Sequence, residues 1–258
     1  MIVDITGFIG TWPYWANKYA DSTGDGIVRL MDQFQVDAAF VTSLAGIFYD
    51  DSMGNDMVFG AVENHPGRLY PAVSVSTLND RDNCAYLTSC AERGARMVKL
   101  YPSYHGYTLS AEDRRLKELV ETASERDMVV NIPIRIMMNW GLAALSVQQV
   151  TAFMDAFPET TFLVENFNAG EYLPLLKYAQ KNSRVYLATA ALTRYRGIDD
   201  LVKAVGSERI LGGYAAPLQY VACGLAKIRG AEITEEEKRQ ILGENAATLF
   251  GLGKGAER

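Results

Sequence analysis

The chain alternates short, nearly continuous apolar runs with longer segments in which apolar residues recur every three or four positions. The short runs are rich in β-branched residues and fall at Ile2–Ile5, Ala38–Val41, Leu69–Val75, Met97–Leu100, Met128–Ile132, Thr161–Val164, Val185–Ala188 and Arg209–Leu211. Such runs suit strands buried on both faces. The segments between them predict helices at Asp25–Phe34, Asn55–Glu63, Asn79–Arg93, Ala111–Arg126, Val147–Phe157, Tyr172–Gln180, Asp199–Val205 and Pro217–Ile228, with a last one at Thr234–Leu249. Repeated strand–helix units imply parallel strands joined by right-handed crossovers. Eight such units close a cylinder, so the expected fold class is α/β, a single-domain (β/α)₈ TIM barrel spanning 1–258.

Local signals agree with these boundaries. Ser110 precedes Ala111-Glu112-Asp113, which places acids at a helix start, where the dipole is positive. Ser146 stands before Val147, and Thr234 with Glu237 forms a capping box. Gly94 and Gly206 follow helices, where positive φ is needed. The irregular stretches Gly10–Gly24, Ser43–Ser52, Tyr101–Thr108 and Pro133–Leu145 each follow a strand. On a barrel those loops form the face that carries chemistry.

Composition narrows the partners. A net charge of −6 without a Lys/Arg run argues against nucleic acid and anionic membrane. The N-terminal MIVDITGFIG lacks a basic region, and no run of 18 apolar residues exists, so neither a signal peptide nor a membrane span is expected. Cys84, Cys90 and Cys223 form no Cys-X-X-Cys and read as small hydrophobes in a reducing, cytoplasmic setting.

Several segments resemble the amidohydrolase-2 family of metal-dependent hydrolases and decarboxylases. MIVDITGFIG is similar to that family's opening Ile-Asp-X-His-X-His-X-Gly. Asn64–Leu69 resembles its His-Pro-Asp-Arg-Phe, and Gly94–Pro102 its Gly-X-X-Gly-Val-Lys-Leu-His-Pro. Ser207–Leu211 looks like the run before strand 8, and Glu244–Phe250 like its Gly-Asn-Ala-Ala-Arg-Leu-Phe. The resemblance implies a metal site at the strand ends. Its two first-strand histidines fall on Thr6 and Phe8, the strand 5 histidine on Ile132 or Asn131, the strand 6 histidine on Asn166, and the strand 8 aspartate on Ala215. None of these residues offers imidazole, thiolate or carboxylate to a catalytic ion. The chain has only two histidines, His65 and His105. No metal and no cofactor is therefore expected, an oxygen-only Mg²⁺ or Ca²⁺ site at Asp4 and Glu165 being the remaining option.

The strand ends keep other candidates. Lys99, after strand 4, is placed to bind a carboxylate or act as an amine base, or else to pair with Asp4 or Glu165. His105 lies among Tyr101, Tyr104 and Tyr107, where it could shuttle protons or simply pack. Asn131 and Arg135 share a strand face, so Arg135 could reach a bound carboxylate or lie on the surface. Glu165 and Asn166 could hold a carbonyl, move a proton or form a turn. Tyr214 is read as filler beside the lost aspartate, or else as a phenol acid. Trp12, in Trp12-Pro13-Tyr14-Trp15, is read as a lid, a subunit contact or a plug.

Two readings follow. One is a metal-independent hydrolase, lactonase-like, or an isomerase, acting on a small carboxylate-bearing substrate. His105, Lys99, Asp4 and Glu165 would be catalytic, and Thr6, Tyr101, Tyr104, Asn131, Arg135, Asn166, Tyr214 and Trp12 would hold the substrate. The other is a homologue without catalysis, serving ligand binding or structure. A homodimer is possible on either reading. An open mouth lined by Lys99, Asn131, Arg135, Glu165 and Tyr104 would favour the first; a mouth plugged by Phe8, Tyr214 and Trp12 would favour the second.

Overall fold

The computed structural model describes residues 1–13, 21–136 and 144–253. Tyr14 and Trp15 of the tryptophan motif, the middle of the loop at 133–145 and the tail from 254 lie outside the described residues. Eight parallel strands run in sequence order around one sheet. They are β1 (Val3–Ile9), β2 (Ala38–Ser43), β3 (Leu69–Ser74), β4 (Met97–Lys99), β5 (Val129–Pro133), β6 (Phe162–Glu165), β7 (Val185–Ala188) and β8 (Ile210–Leu211). The seam is closed by Ile5 N–H donating to Gly212 O at 3.1 Å and Phe8 N–H donating to Ala216 O at 2.7 Å.

The helices are α1 (Gly24–Phe34), α2 (Leu44–Phe48), α3 (Asp51–Asn64), α4 (Asn83–Glu92), α5 (Pro102–His105), α6 (Arg114–Glu125), α7 (Val147–Asp155), α8 (Ala169–Lys181), α9 (Gly197–Val205), α10 (Val221–Arg229), α11 (Glu235–Arg239) and α12 (Asn245–Phe250); most surround the barrel, but α2 and α5 lend Leu44, Ile47 and Tyr104 to an apolar cluster beyond the strand ends, and α12 packs Ala246 and Phe250 against the barrel floor. The last two are joined by a π-helical turn, Gln240–Glu244, so the predicted final helix is one continuous rod. No helix among the described residues is long and apolar enough to cross a membrane. The capping boxes at Ser146 and Thr234 are present, and Gly94 and Gly206 both have positive φ. Ser110 does not cap α6; Asp113 does, accepting from Arg115 N and Leu116 N, while Ser110 holds Glu112 N in a turn before it. Ser146→Ala should lower stability by about 1 kcal/mol in urea unfolding, since Gln149 N–H then loses its acceptor.

The barrel interior is tiered. The floor is apolar: Val3, Ile5, Ala38, Phe40, Ala72, Met97, Val129, Leu163, Ala188 and Leu211. Side chains two residues apart on a strand share a face. One step on from Phe40, Ala72, Met97, Val129 and Leu163 therefore stand Thr42, Ser74, Lys99, Asn131 and Glu165, all buried. Register levels Ser74, Lys99 and Asn131, while the stagger of the barrel sets Glu165 opposite Pro133, one step further along β6, from where it still reaches Lys99. Above them lies an apolar cap of Phe8, Trp12, Leu44, Ile47, Tyr101, Ile136, Ala190 and Ala215.

A bulge in β1 puts Phe8 in that cap. Asp4 faces Ala39 and Gly7 faces Val41, so three steps of β1 span two of β2. The extra residue turns Phe8 to the same face as its partner Thr42. Gly7 is required there, because a Cβ would sit 2.9 Å from Phe40 O.

Candidate functional site

The polar tier is organised around one ion pair. Lys99 Nζ lies 3.0 Å from Glu165 Oε1 and 3.3 Å from Oε2, and both side chains are 0 % exposed. Asn131 Nδ2 donates to Glu165 Oε2 at 3.1 Å and lies 3.6 Å from Met97 Sδ. Lys99 Nζ also stands 5.6 Å from the centre of the Phe8 ring. Two charges so far from water persist only by neutralising one another with help from further hydrogen bonds.

Tyr101, just beyond β4, is buried above the pair. Burial, and next the Glu165 charge, push its phenol well above the ordinary value, so it stays a protonated donor. Its hydroxyl has no protein partner, and neither do Asn131 Oδ1, Asn166 Oδ1 or Thr42 Oγ1. Asn166, next to Glu165, has φ 57° and donates from Nδ2 to Ile136 O at 3.1 Å. Tyr104 meets Tyr101 and Phe48 edge to face and accepts from Ile136 N–H at 3.3 Å.

Other candidates are placed elsewhere. Asp4 alternates with the inward Val3 and Ile5, so it faces the opposite side and clasps β1 to the segment after β8. It accepts from Thr6 N–H at 3.0 Å, Thr6 Oγ1 at 2.9 Å, Tyr214 N–H at 2.8 Å and Ala216 N–H at 3.3 Å. Burial still raises its carboxyl above the ordinary range, those hydrogen bonds only partly countering it. Thr6 completes the clasp by accepting from Ala215 N–H at 2.8 Å. Arg135 spends its fork on Glu171, at 2.7 and 3.2 Å, because Glu171 stands in the first turn of α8 beside the loop after β5. It thus does not present a free fork to a carboxylate. Tyr214 does not fill the mouth. It packs between barrel and helices, its hydroxyl donating to Leu242 O at 3.3 Å. His105 ties α5 to α2, with Nε2 3.0 Å from Gly46 O. Burial lowers its pKa, so the ring is neutral.

Sequence reasoning missed Thr42, Ser74 and Glu171. Carrying the two-residue period on from Phe40 and Ala72 would have found the first two. Nothing local signals Glu171, which meets Arg135 through the fold.

The architecture defines a parallel (β/α)₈ barrel of the amidohydrolase type, with its polar groups gathered at the C-terminal ends of the strands. A family model described as Amidohydrolase matches residues 14–252, and the chain belongs to that family. Solved structures show the same fold. A 5-carboxyvanillate decarboxylase from Sphingomonas paucimobilis aligns at TM-score 0.78 and 13% identity, covering 97% of this chain and 99% of that one. A dihydroxybenzoic acid decarboxylase from Polaromonas sp. JS666, with bound manganese and the inhibitor 2-nitroresorcinol, aligns at 0.76 and 15%, covering 97% of each. A probable 2-pyrone-4,6-dicarboxylic acid hydrolase from Acinetobacter baumannii, with citric acid bound, aligns at 0.72 and 12%, covering 97% and 99%. A search of curated proteins returns no match.

The metal implied by the family resemblance does not fit the described residues. No three His, Cys, Asp or Glu side chains among them converge on a point. The oxygen-only option fails as well. Asp4 is saturated at the seam, and Glu165 already has an ammonium as its cation.

Proposed function

We propose that the chain is a metal-independent enzyme of the amidohydrolase family, which hydrolyses or isomerises a small molecule by moving a proton at the C-terminal end of the barrel. One observation carries this reading: four unpartnered buried polar atoms accompany a buried Lys–Glu pair. Buried polar atoms are normally paired, and each orphan costs about 1–3 kcal/mol. A site reduced to packing would gain stability by shedding them, and functional sites are where such costs persist.

The roles follow from the chemistry of the groups. Glu165 is the base, and Lys99 is its buried ion-pair partner. Tyr101, held protonated by burial and by Glu165, donates to a carbonyl oxygen on which negative charge develops. Glu165 then takes a proton from the adjacent carbon and returns it to another atom of the substrate, giving isomerisation, or takes one from a water as it adds to the carbonyl carbon and returns it to the leaving oxygen as that bond breaks, giving hydrolysis. The cap of Phe8, Trp12, Ile136 and Ala190 excludes bulk water and strengthens each of these interactions.

The test is turnover of a panel of lactones and keto–enol isomerisation substrates after chelation and dialysis. Activity should survive, added Mn²⁺ or Zn²⁺ should not raise it, and Tyr101→Phe should lower kcat about 10²-fold. Activity that disappears on chelation and returns with a divalent ion would overturn the reading.

The cap also favours a second reading, a barrel without catalysis, since it holds Phe8 and Trp12, two of the three residues expected to plug the mouth, the third, Tyr214, packing elsewhere. On that reading Tyr101→Phe removes an orphan and only stabilises the fold.

A further inference from the structure

We propose that Lys227 is a nucleophilic amine that captures a small, uncharged aldehyde as an imine, in the cavity between the loop after β7 and the C-terminal end of α10. The site lies apart from the polar tier, and the proposal does not depend on the tier's chemistry. The cavity measures about 210 Å³, and its lining includes Lys227, Leu192, Tyr195, Arg196, Asp199 and Glu232. That is room for several waters or for a molecule of a few carbons. Tyr195 is exposed, so the cavity reaches solvent.

On α10, Gly224 and Ile228 are buried, and Lys227 stands three positions after Gly224, beside that stripe. Its side chain is half-buried, and Nζ donates to Thr189 O at 2.9 Å and Ala190 O at 2.8 Å, just beyond β7. Among the described residues Lys227 forms no ion pair. The two acids of the cavity are both engaged by Arg196, Asp199 at 3.2 Å and Glu232 at 2.7 Å. An ammonium drawn out of water without a carboxylate beside it gains by shedding its proton. Burial accordingly lowers the pKa of this amine to about 8, with Cys223 opposing the shift.

A neutral amine has two N–H groups and one lone pair. The N–H groups serve the two carbonyls, which leaves the lone pair in the remaining position for an electrophile. Nζ attacks the aldehyde carbon, and the C=O π pair moves to oxygen. One N–H proton passes to that oxygen, giving a carbinolamine. The hydroxyl takes a proton from solvent and leaves as water while the nitrogen lone pair closes C=N. The product is an iminium with one N–H. That N–H stays on Ala190 O, and Thr189 O still accepts from Leu192 N–H at 3.2 Å, so no carbonyl is stranded. The iminium also keeps the positive charge. Asp199, Asp200 and Glu232 remain matched by Arg194, Arg196 and residue 227. An aldehyde bearing a carboxylate would add an acid to a set already balanced, so the ligand is uncharged.

The experiment treats the whole chain with glycolaldehyde and sodium cyanoborohydride near neutral pH. The hydride reduces the iminium to a stable secondary amine, and peptide mass spectrometry maps the adducts. The neutral fraction of Lys227 there exceeds that of an ordinary lysine roughly a hundredfold. Lower basicity and partial burial take back part of that, so Lys227 should be labelled about tenfold faster than any other lysine. Its rate should saturate with glycolaldehyde, as binding before reaction requires. Glyoxylate, the charged counterpart, should show a smaller preference for Lys227 over exposed lysines. Labelling of Lys227 no faster than that of exposed lysines, or a rate that climbs linearly without saturation, would overturn the site. A stronger preference with glyoxylate would overturn the uncharged class. Each reading comes from the unaltered chain, so none depends on a variant that must fold.

Discussion

Replacing Lys99 by methionine should cost about 3–5 kcal/mol in urea or guanidinium unfolding, because it strands the Glu165 carboxylate in the barrel with only Asn131 as partner. The double variant Lys99→Met/Glu165→Leu should recover most of that loss. Apolar groups of similar volume often replace a buried pair at little cost, whereas half a pair is costly. The cycle separates the worth of the pair from the penalty of breaking it. A single variant that loses less than about 1 kcal/mol would be behaving like an exposed ion pair, and the dry polar tier would then be wrong.

Asp4→Ala should be about as damaging, at about 3–5 kcal/mol, since it removes the acceptor for the buried N–H groups of Thr6, Tyr214 and Ala216 together. Loss there opens the seam between β1 and the end of β8, so hydrogen exchange should quicken at Ile5 and Phe8, whose N–H groups cross it. The pH dependence has a definite sign. Below the ordinary carboxyl value of 3.8, Asp4 is protonated both folded and unfolded. As the pH rises from there towards the higher folded value, the unfolded chain ionises first, so the contribution of this group to stability falls. Above the folded value the loss is complete and constant. Asp4→Asn lacks the titrating group, and its difference from wild type should change across that window. A difference that stays flat from pH 3 to 8 would mean Asp4 is not desolvated.

The barrel was legible because its strands are apolar on both faces and its helices are capped by residues with local signatures, Ser146 and Thr234 among them. The first strand was read short. Thr6 and Gly7 break its apolar run, and only pairing with β2 shows that the strand continues through a bulge to Ile9. The pairing of Lys99 with Glu165 was one of two partners open from sequence, the other being Asp4. Inward and outward faces decide between them, and those faces depend on register. Arg135 and Tyr214 were misplaced for a related reason. Their partners, Glu171 and Leu242, lie 36 and 28 residues away, and no local pattern reports such distances.

The sandwiching of the Lys99–Glu165 tier between an apolar floor and an aromatic cap has one further consequence. Protons there are cut off from the bulk reservoir, so the inventory among ammonium, carboxylate and phenol is closed. Whatever hydrogen Glu165 lifts from a guest has nowhere to go except back onto that guest, since the Lys99 ammonium has no lone pair to take it. Such a chamber suits internal rearrangement, in which an isotope brought in on one carbon departs on another, better than it suits reactions that must trade with the medium.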